Sequence, residues 1–101
     1  MEQDKGKMTA EEITSAVCVA SGYTAEELRR HDRRGRIAAT RQVWHWALYQ
    51  LTKMSYHEVG RYVNRNHATV IHNHRKGSEF RLLPKAYKYE NELMQAIFYG
   101  N

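Results

Sequence analysis

One stretch in the second half of the chain constrains the fold more than any other, because it predicts two short helices joined by a tight turn. Ser55 and Glu58 have the spacing of a capping box, in which each side chain accepts a backbone N–H at the start of a helix. Apolar residues then follow on one helical face. Asn66, a good N-cap residue, begins the next helix. The pattern predicts a first helix over about 55–63 and a second helix over about 66–78.

The second of these helices is expected to carry its polar residues outward. Val70 and Ile71 are its large apolar residues, so both are expected to point into a core. The outward set is His67, Ala68, Thr69, His72, Asn73, Arg75 and Lys76. Small polar groups near a helix start reach base edges in a DNA major groove, and cations further along reach phosphates. The alternative interpretation is an amphipathic helix whose polar face is only solvated.

Residues 65–76 read Arg-Asn-His-Ala-Thr-Val-Ile-His-Asn-His-Arg-Lys. They resemble the hallmark Arg-Asp-His-Thr-Thr-Val-Leu-His-Ala-x-Arg-Lys of the C-terminal DNA-binding domain of the bacterial replication initiator DnaA. That domain is a helix-turn-helix module of the Trp-repressor-like superfamily. Residues 51–60 and Thr40-Arg41-Gln42 are similar to the family's preceding segments, so the resemblance covers about residues 11–78. It implies an all-α domain of five or six helices that binds double-stranded DNA in a sequence-specific way.

The resemblance also implies roles for individual residues. His67 and Thr69 would touch base edges, with His67 against a thymine methyl. Asn66 replaces the family's Asp, and because Asn can donate as well as accept, the preferred base there can differ. The full set implied to contact bases is Asn66, His67, Ala68, Thr69 and Asn73. The set implied to contact phosphates or the minor groove is Arg33, Arg34, Arg36, Arg41, Arg65, His72, Arg75 and Lys76.

An arginine-rich loop precedes the predicted central helix. Residues 29–36 contain five arginines and one aspartate, and Gly35 interrupts any helix there. A compact cluster of one sign beside a helix-turn-helix favours phosphate contact over a merely solvated loop. The family's minor-groove arginine is replaced here by Ala39. Arg34 and Arg36 are the two candidates to take its place.

The other helices are predicted from caps and apolar spacing. Thr9 and Thr24 begin capping boxes, which predict a first helix ending near Ser21-Gly22 and a short second helix to Arg30. Thr40 is expected to cap the longest helix, from Arg41 to about Met54. Its aromatic residues Trp44, Trp46 and Tyr49 are interpreted as core and rim residues rather than base-stacking platforms. Gly77 and Pro84 are expected to bracket a connection, with Pro84 in the first turn of a last helix to about Phe98.

These elements suggest one domain. Residues 1–8 are expected to be a flexible tail, residues 9–80 the helix-turn-helix domain, and residues 81–101 a C-terminal helix. That helix either packs on the domain or forms a dimer seam, and the sequence leaves both open.

Composition narrows the function classes. The chain has 101 residues, a net charge of +5 and a pI near 9.5, which favour a polyanionic partner. Its length leads us to expect no ATPase module, and its residues show no glycine-rich phosphate loop and no apolar run that would cross a membrane. The polar N-terminal residues are not expected to form a signal peptide. A cytoplasmic protein without cofactor is expected, acting in DNA replication initiation or transcription regulation. The single Cys18 is expected to be a small buried apolar residue.

Catalysis and metal binding are not expected. His67, His72 and His74 lack the i, i+3 or i, i+4 spacing of helical metal ligands. The letters His72-Asn73-His74 also occur in a nuclease motif, but a metal nuclease needs a strand pattern that the sequence does not show. The stronger alternative to DNA binding is a DnaA-like protein-interaction module that has lost sequence reading and binds a partner through its C-terminal helix.

Overall fold

The computed structural model describes residues 5–99, which contain six α-helices. The helices are Ala10–Ser21 (α1), Ala25–Arg29 (α2), Ile37–Leu51 (α3), Tyr56–Val63 (α4), His67–Leu82 (α5) and Lys88–Tyr99 (α6). Helix α3 lies at the centre and contacts all five others. Because residues 5–99 contain no strand, the predicted all-α class is confirmed.

Three helix starts agree with the capping boxes. In each box the Thr or Ser side chain accepts a backbone N–H and the Glu side chain accepts the N–H of the cap residue. The pairs are Thr9–Glu12, Thr24–Glu27 and Ser55–Glu58. Helix α1 ends at Ser21, as predicted, and Gly22 follows as its C-cap in the left-handed conformation, with a φ of 84°.

The core is built on α3. Trp44 and Trp46 are fully buried, and the Trp44 indole N–H donates to Thr14 Oγ1 at 2.9 Å, which links α3 to α1. Tyr49 is half-buried and stacks on Tyr56 of α4 with ring centroids 3.8 Å apart. The interpretation of these aromatic residues as core and rim is confirmed.

Helix α3 starts earlier than predicted. It begins at Ile37, whose side chain is buried, and the N-cap Arg36 forms no side-chain cap hydrogen bond. Thr40 is not the cap, because its hydroxyl donates to Arg36 O at 2.7 Å from inside the first turn. The helix ends at Leu51 rather than Met54, and its 15 residues make it shorter than the 16-residue α5.

Helix α5 runs four residues past its predicted end. Gly77 lies inside the helix, where it faces Trp46, and buried Phe80 anchors the last turn. The prediction of a connection beginning at Gly77 is therefore wrong. Pro84 does not begin α6 either. Residues 84–87 form a turn closed by hydrogen bonds from Ala86 N and Tyr87 N to Leu83 O, both 3.1 Å, and α6 starts at Lys88.

Both ends of the described chain contact the core helices. Of the predicted flexible tail, residues 1–4 lie outside the described residues. Gly6 N and Met8 N donate to Leu51 O at 3.1 and 3.2 Å, so residues 5–8 are hydrogen-bonded to the end of α3. Helix α6 buries its apolar stripe against α1 and α3. It therefore covers the core, which is one of its two predicted roles.

Two further observations concern the described residues. Cys18 is a free, half-buried thiol rather than a fully buried one, and burial raises its pKa. None of the helices in residues 5–99 combines the length and apolarity that a membrane crossing needs.

Candidate nucleic-acid interface

The turn between α4 and α5 depends on one glycine. A Cβ at Gly60 would lie 2.7 Å from Arg65 O, closer than a backbone atom tolerates, and 3.4 Å from His67 N. Arg65 N donates to Gly60 O at 2.9 Å, and Asn64 takes the left-handed conformation with φ 61°. These contacts bring the start of α5 directly onto α4. The predicted pair of helices with a tight turn is confirmed.

The first turn of α5 presents short polar groups. Asn66 is the N-cap, as predicted, and its Oδ1 accepts the Ala68 N–H at 2.8 Å. Ala68 and Thr69 are exposed. His67 is half-buried because its ring stacks on His57 of α4, with centroids 3.9 Å apart and planes 30° apart. The sequence analysis did not identify His57 as part of this site. Its position predicts only that it lies in the first turn of α4, and nothing in the sequence indicates that its ring contacts His67.

Asn73 faces the core, so its predicted outward position is wrong. It is 6% exposed, and its Nδ2 donates to His45 Nδ1 at 2.9 Å. The reason is helical spacing, because Asn73 shares the buried face of α5 with Val70, Gly77 and Phe80. Ile71, expected in the core with Val70, is only half-buried.

His45 is neutral in this environment. Burial and, to a smaller extent, the nearby cations of Arg65 and Arg41 together lower its pKa to about 3. A neutral ring leaves Nδ1 free to accept the Asn73 amide hydrogen. The pair therefore ties α3 to α5 directly behind the exposed face.

Arg41 does not serve as a free cationic arm. It is 7% exposed, and its guanidinium donates to Leu28 O at 2.7 Å, Arg30 O at 2.7 Å and Asp32 O at 3.0 Å. Burial lowers its pKa, but a guanidinium stays protonated in proteins. Because Nε and Nη2 are engaged by carbonyls of residues 28–32, Arg41 is a buried structural contact rather than the exposed cation that its predicted phosphate contact assumed.

Arg65 has a similar arrangement. Its Nη1 donates to Arg29 O at 2.7 Å, and its Nη2 donates to Arg30 O. Arg65 therefore fastens the end of α2 to the turn before α5. Together with Arg41 it fixes the position of the arginine-rich loop relative to α5.

Four arginines of residues 29–36 are exposed: Arg30, Arg33, Arg34 and Arg36. Arg34 pairs with Asp32, Nη2 to Oδ2 at 3.0 Å, and this pairing lowers the Asp32 pKa to about 2 and raises the Arg34 pKa. Arg36 instead lies over the ring of Tyr89, with its guanidinium carbon 4.5 Å from the ring centroid.

The loop and α5 border one cleft of about 320 Å³. Its lining residues are His31, Arg33, Ala38, Arg41, Gln42, Arg65, Thr69, His72 and Asn73. Loop and helix residues predicted to contact DNA thus share this cleft. Further along α5, Arg75 is exposed and Lys76 pairs with Glu79, Nζ to Oε1 at 3.3 Å.

The histidines His72 and His74 of α5 point in different directions. His74 points inward, where its Nε2 donates to Gln50 Oε1 at 2.9 Å and its Nδ1 accepts from the Tyr56 hydroxyl at 3.1 Å. Burial, with the Lys5 charge, lowers its pKa to about 4. His72 is exposed. Within residues 5–99 no group of three His, Cys, Asp or Glu side chains is placed to hold a metal ion.

The fold and this surface define a helix-turn-helix domain of the DNA-binding class. The model of the bacterial DnaA protein helix-turn-helix family matches residues 10–76, and the chain belongs to that family of non-catalytic DNA-binding domains. A curated relative, the chromosomal replication initiator protein DnaA of Desulfatibacillum aliphaticivorans, is 36% identical over 70 residues. The match covers 69% of this chain and 15% of that relative, so the chain spans a small part of its length. The resemblance found in the sequence is confirmed.

Proposed function

We propose that this domain binds double-stranded DNA in a sequence-specific way, with the first turn of α5 in the major groove. The observation that carries the proposal is the cleft bordered both by Arg33 of the loop and by Thr69 of α5. Docking in the major groove requires side chains that contact base edges, next to cations that contact phosphates. Membership of a DNA-binding family supports the same function.

The proposed base contacts are Asn66, His67, Ala68 and Thr69, without the buried Asn73. Capping uses one lone pair of the Asn66 side-chain oxygen, and the amide hydrogens remain free to donate to DNA. It would therefore donate to an acceptor such as guanine O6 or N7, whereas an Asp could accept from cytosine N4. We infer that the preferred base at this position differs from that of relatives with Asp.

The proposed backbone contacts are Arg33, Arg34, Arg36, His72, Arg75 and Lys76. Arg41 and Arg65 support them indirectly, because both hold the carbonyls of residues 28–32 and so position the loop. Either Arg34 or Arg36 would enter the minor groove in place of the family's arginine. Both lie at the exposed end of the loop.

The proposed biological role is replication initiation or transcription regulation. The similar protein from Desulfatibacillum is named as a replication initiator. A chromosomal target would place this chain in the cytoplasm.

A protein-interaction module is the second candidate function. An open groove of about 710 Å³ runs between α1 and α6, and Val19 on its edge is 83% exposed. Exposed apolar surface of this kind can serve as a protein contact. If this groove were the sole binding surface, duplex DNA would not bind.

Duplex affinity is expected to fall steeply with salt. The proposed backbone contacts include five cations, Arg33, Arg34, Arg36, Arg75 and Lys76, one of which would enter the minor groove. They predict a slope of log affinity against log salt of about −3 to −5. Arg75→Gln should reduce the magnitude of the slope by about 1. Arg81→Gln is the matched control on α5, because Arg81 lies over Trp46 and Phe98 at the far end of the helix. Absence of duplex binding at low salt would refute the proposed function in favour of the interaction module.

His67→Ala is expected to remove base reading at one position. The loss on the preferred site should be about 1–3 kcal/mol, with little loss on random DNA, measured by binding and by selection from random duplexes. His72→Ala is the control, because an exposed phosphate contact should weaken all sequences alike. If His67 only packs against His57, its loss would lower thermal stability and leave the selected sequence unchanged. That outcome would show that His67 is not one of the residues that contact bases.

A further inference from the structure

One side chain of α6 reaches the arginine-rich loop. The ring of Tyr89 lies under the Arg36 guanidinium, and its hydroxyl is 2.7 Å from Thr40 Oγ1. The Thr40 hydroxyl hydrogen is directed to Arg36 O, also at 2.7 Å. The Tyr89 hydroxyl therefore donates to Thr40. The ring contacts Arg36 and the hydroxyl contacts Thr40, so the side chain is held against the start of α3.

This contact comes from outside the part of the chain that matches the family. The family match ends at residue 76, and Tyr89 is the second residue of α6. The helix is anchored by Leu93, Met94 and Ile97, all buried. Tyr89 is thereby held in place by the core rather than by the loop it touches.

Arg34 and Arg36 are held in different ways. Arg34 is paired with the Asp32 carboxylate, which offsets its charge and occupies Nε and Nη2. Arg36 rests on a neutral aromatic face, which attracts the cation without accepting its in-plane N–H hydrogens. A stacked guanidinium therefore keeps its charge and its donor edge for a nucleic acid.

We propose that Tyr89 is a positioning residue for DNA binding, which orders Arg36 and presents its donor edge to the backbone or minor groove. The inference rests on the proposed function. Ordering the side chain before binding removes an entropy cost that a free arginine would incur in the complex. Loss of the ring should therefore weaken duplex binding about three- to tenfold.

A double-mutant cycle tests the coupling. Tyr89→Leu is expected to weaken binding and to lower the magnitude of the salt slope, as Arg36→Gln does. In an Arg36→Gln background, Tyr89→Leu should cause no further loss. Tyr89→Phe keeps the ring and should retain most of the affinity. Tyr99→Leu is the control, since Tyr99 is an exposed tyrosine of the same helix.

The outcomes separate the two proposals. If the wild-type domain binds duplex DNA and Tyr89→Leu costs the same with and without Arg36, the positioning role is overturned while the proposed function stands. If the wild-type domain binds no duplex, both fall. Should Tyr89→Leu fail to fold, ¹⁵N relaxation of the Arg36 Nε–H in the free wild-type domain decides. An Arg36 as mobile as Arg33 would overturn the inference, and a more ordered Arg36 would support it.

Discussion

Replacing Gly77 with alanine is expected to lower the free energy of unfolding by about 2–4 kcal/mol. The added Cβ would lie 2.2 Å from Trp46 Cγ, 2.3 Å from Cδ1 and 2.5 Å from Cβ. Trp46 cannot move away easily, because it is 1% exposed and its ring meets Phe98 edge-on at 6.1 Å. Helices α3 and α5 would have to separate, and the gain in helix propensity, about 1 kcal/mol, offsets only part of that cost.

Thermal unfolding measures this effect. A loss of this size predicts a fall in Tm of about 10–25 °C for a domain of this length. Ser78→Ala is the matched control, because Ser78 is the exposed next residue of α5 and its replacement should change stability by less than about 0.5 kcal/mol. A Gly77→Ala domain as stable as the wild type would show that α3 and α5 do not approach so closely.

Acidification from pH 7 to pH 5 is expected to destabilise the domain by about 2 kcal/mol through His45 alone. In the unfolded chain this histidine takes up a proton near pH 6.5, whereas in the fold its pKa is about 3. Between these values the unfolded state binds more protons, so the free energy of unfolding falls as the pH falls. His74, with its pKa lowered to about 4, acts in the same direction.

Chemical denaturation at several pH values tests this dependence. The window ends at pH 5, above the range in which the lowered pKa values of Asp32 and Glu58 begin to matter. His45→Gln should start from a lower stability but show a flatter dependence. His72→Gln, which removes an exposed imidazole, should keep the wild-type slope. A wild-type stability that stays constant from pH 7 to pH 5 would contradict a neutral buried His45.

The exposure of side chains in the candidate site was predicted correctly where it follows from neighbouring residues of one helix, and less well where it depends on tertiary packing. The cap at Asn66 and the exposure of Ala68 and Thr69 follow from residues within one helical turn. The inward turn of Asn73 requires its partner on α3, His45, which no local pattern reveals. The burial of Arg41 was not predicted for the same reason, because the carbonyls that engage its guanidinium belong to a separate segment.

The sequence by itself determined the all-α class, the helix-turn-helix pair and the starts of α1, α2 and α4. Capping boxes act over four residues, so their geometry is set before any tertiary contact forms. The tertiary structure alone decided that α5 continues through Gly77 and that α6 begins at Lys88 rather than Pro84. A glycine is a poor helix residue in isolation, but here only a residue without a Cβ lets α5 lie against Trp46 of α3.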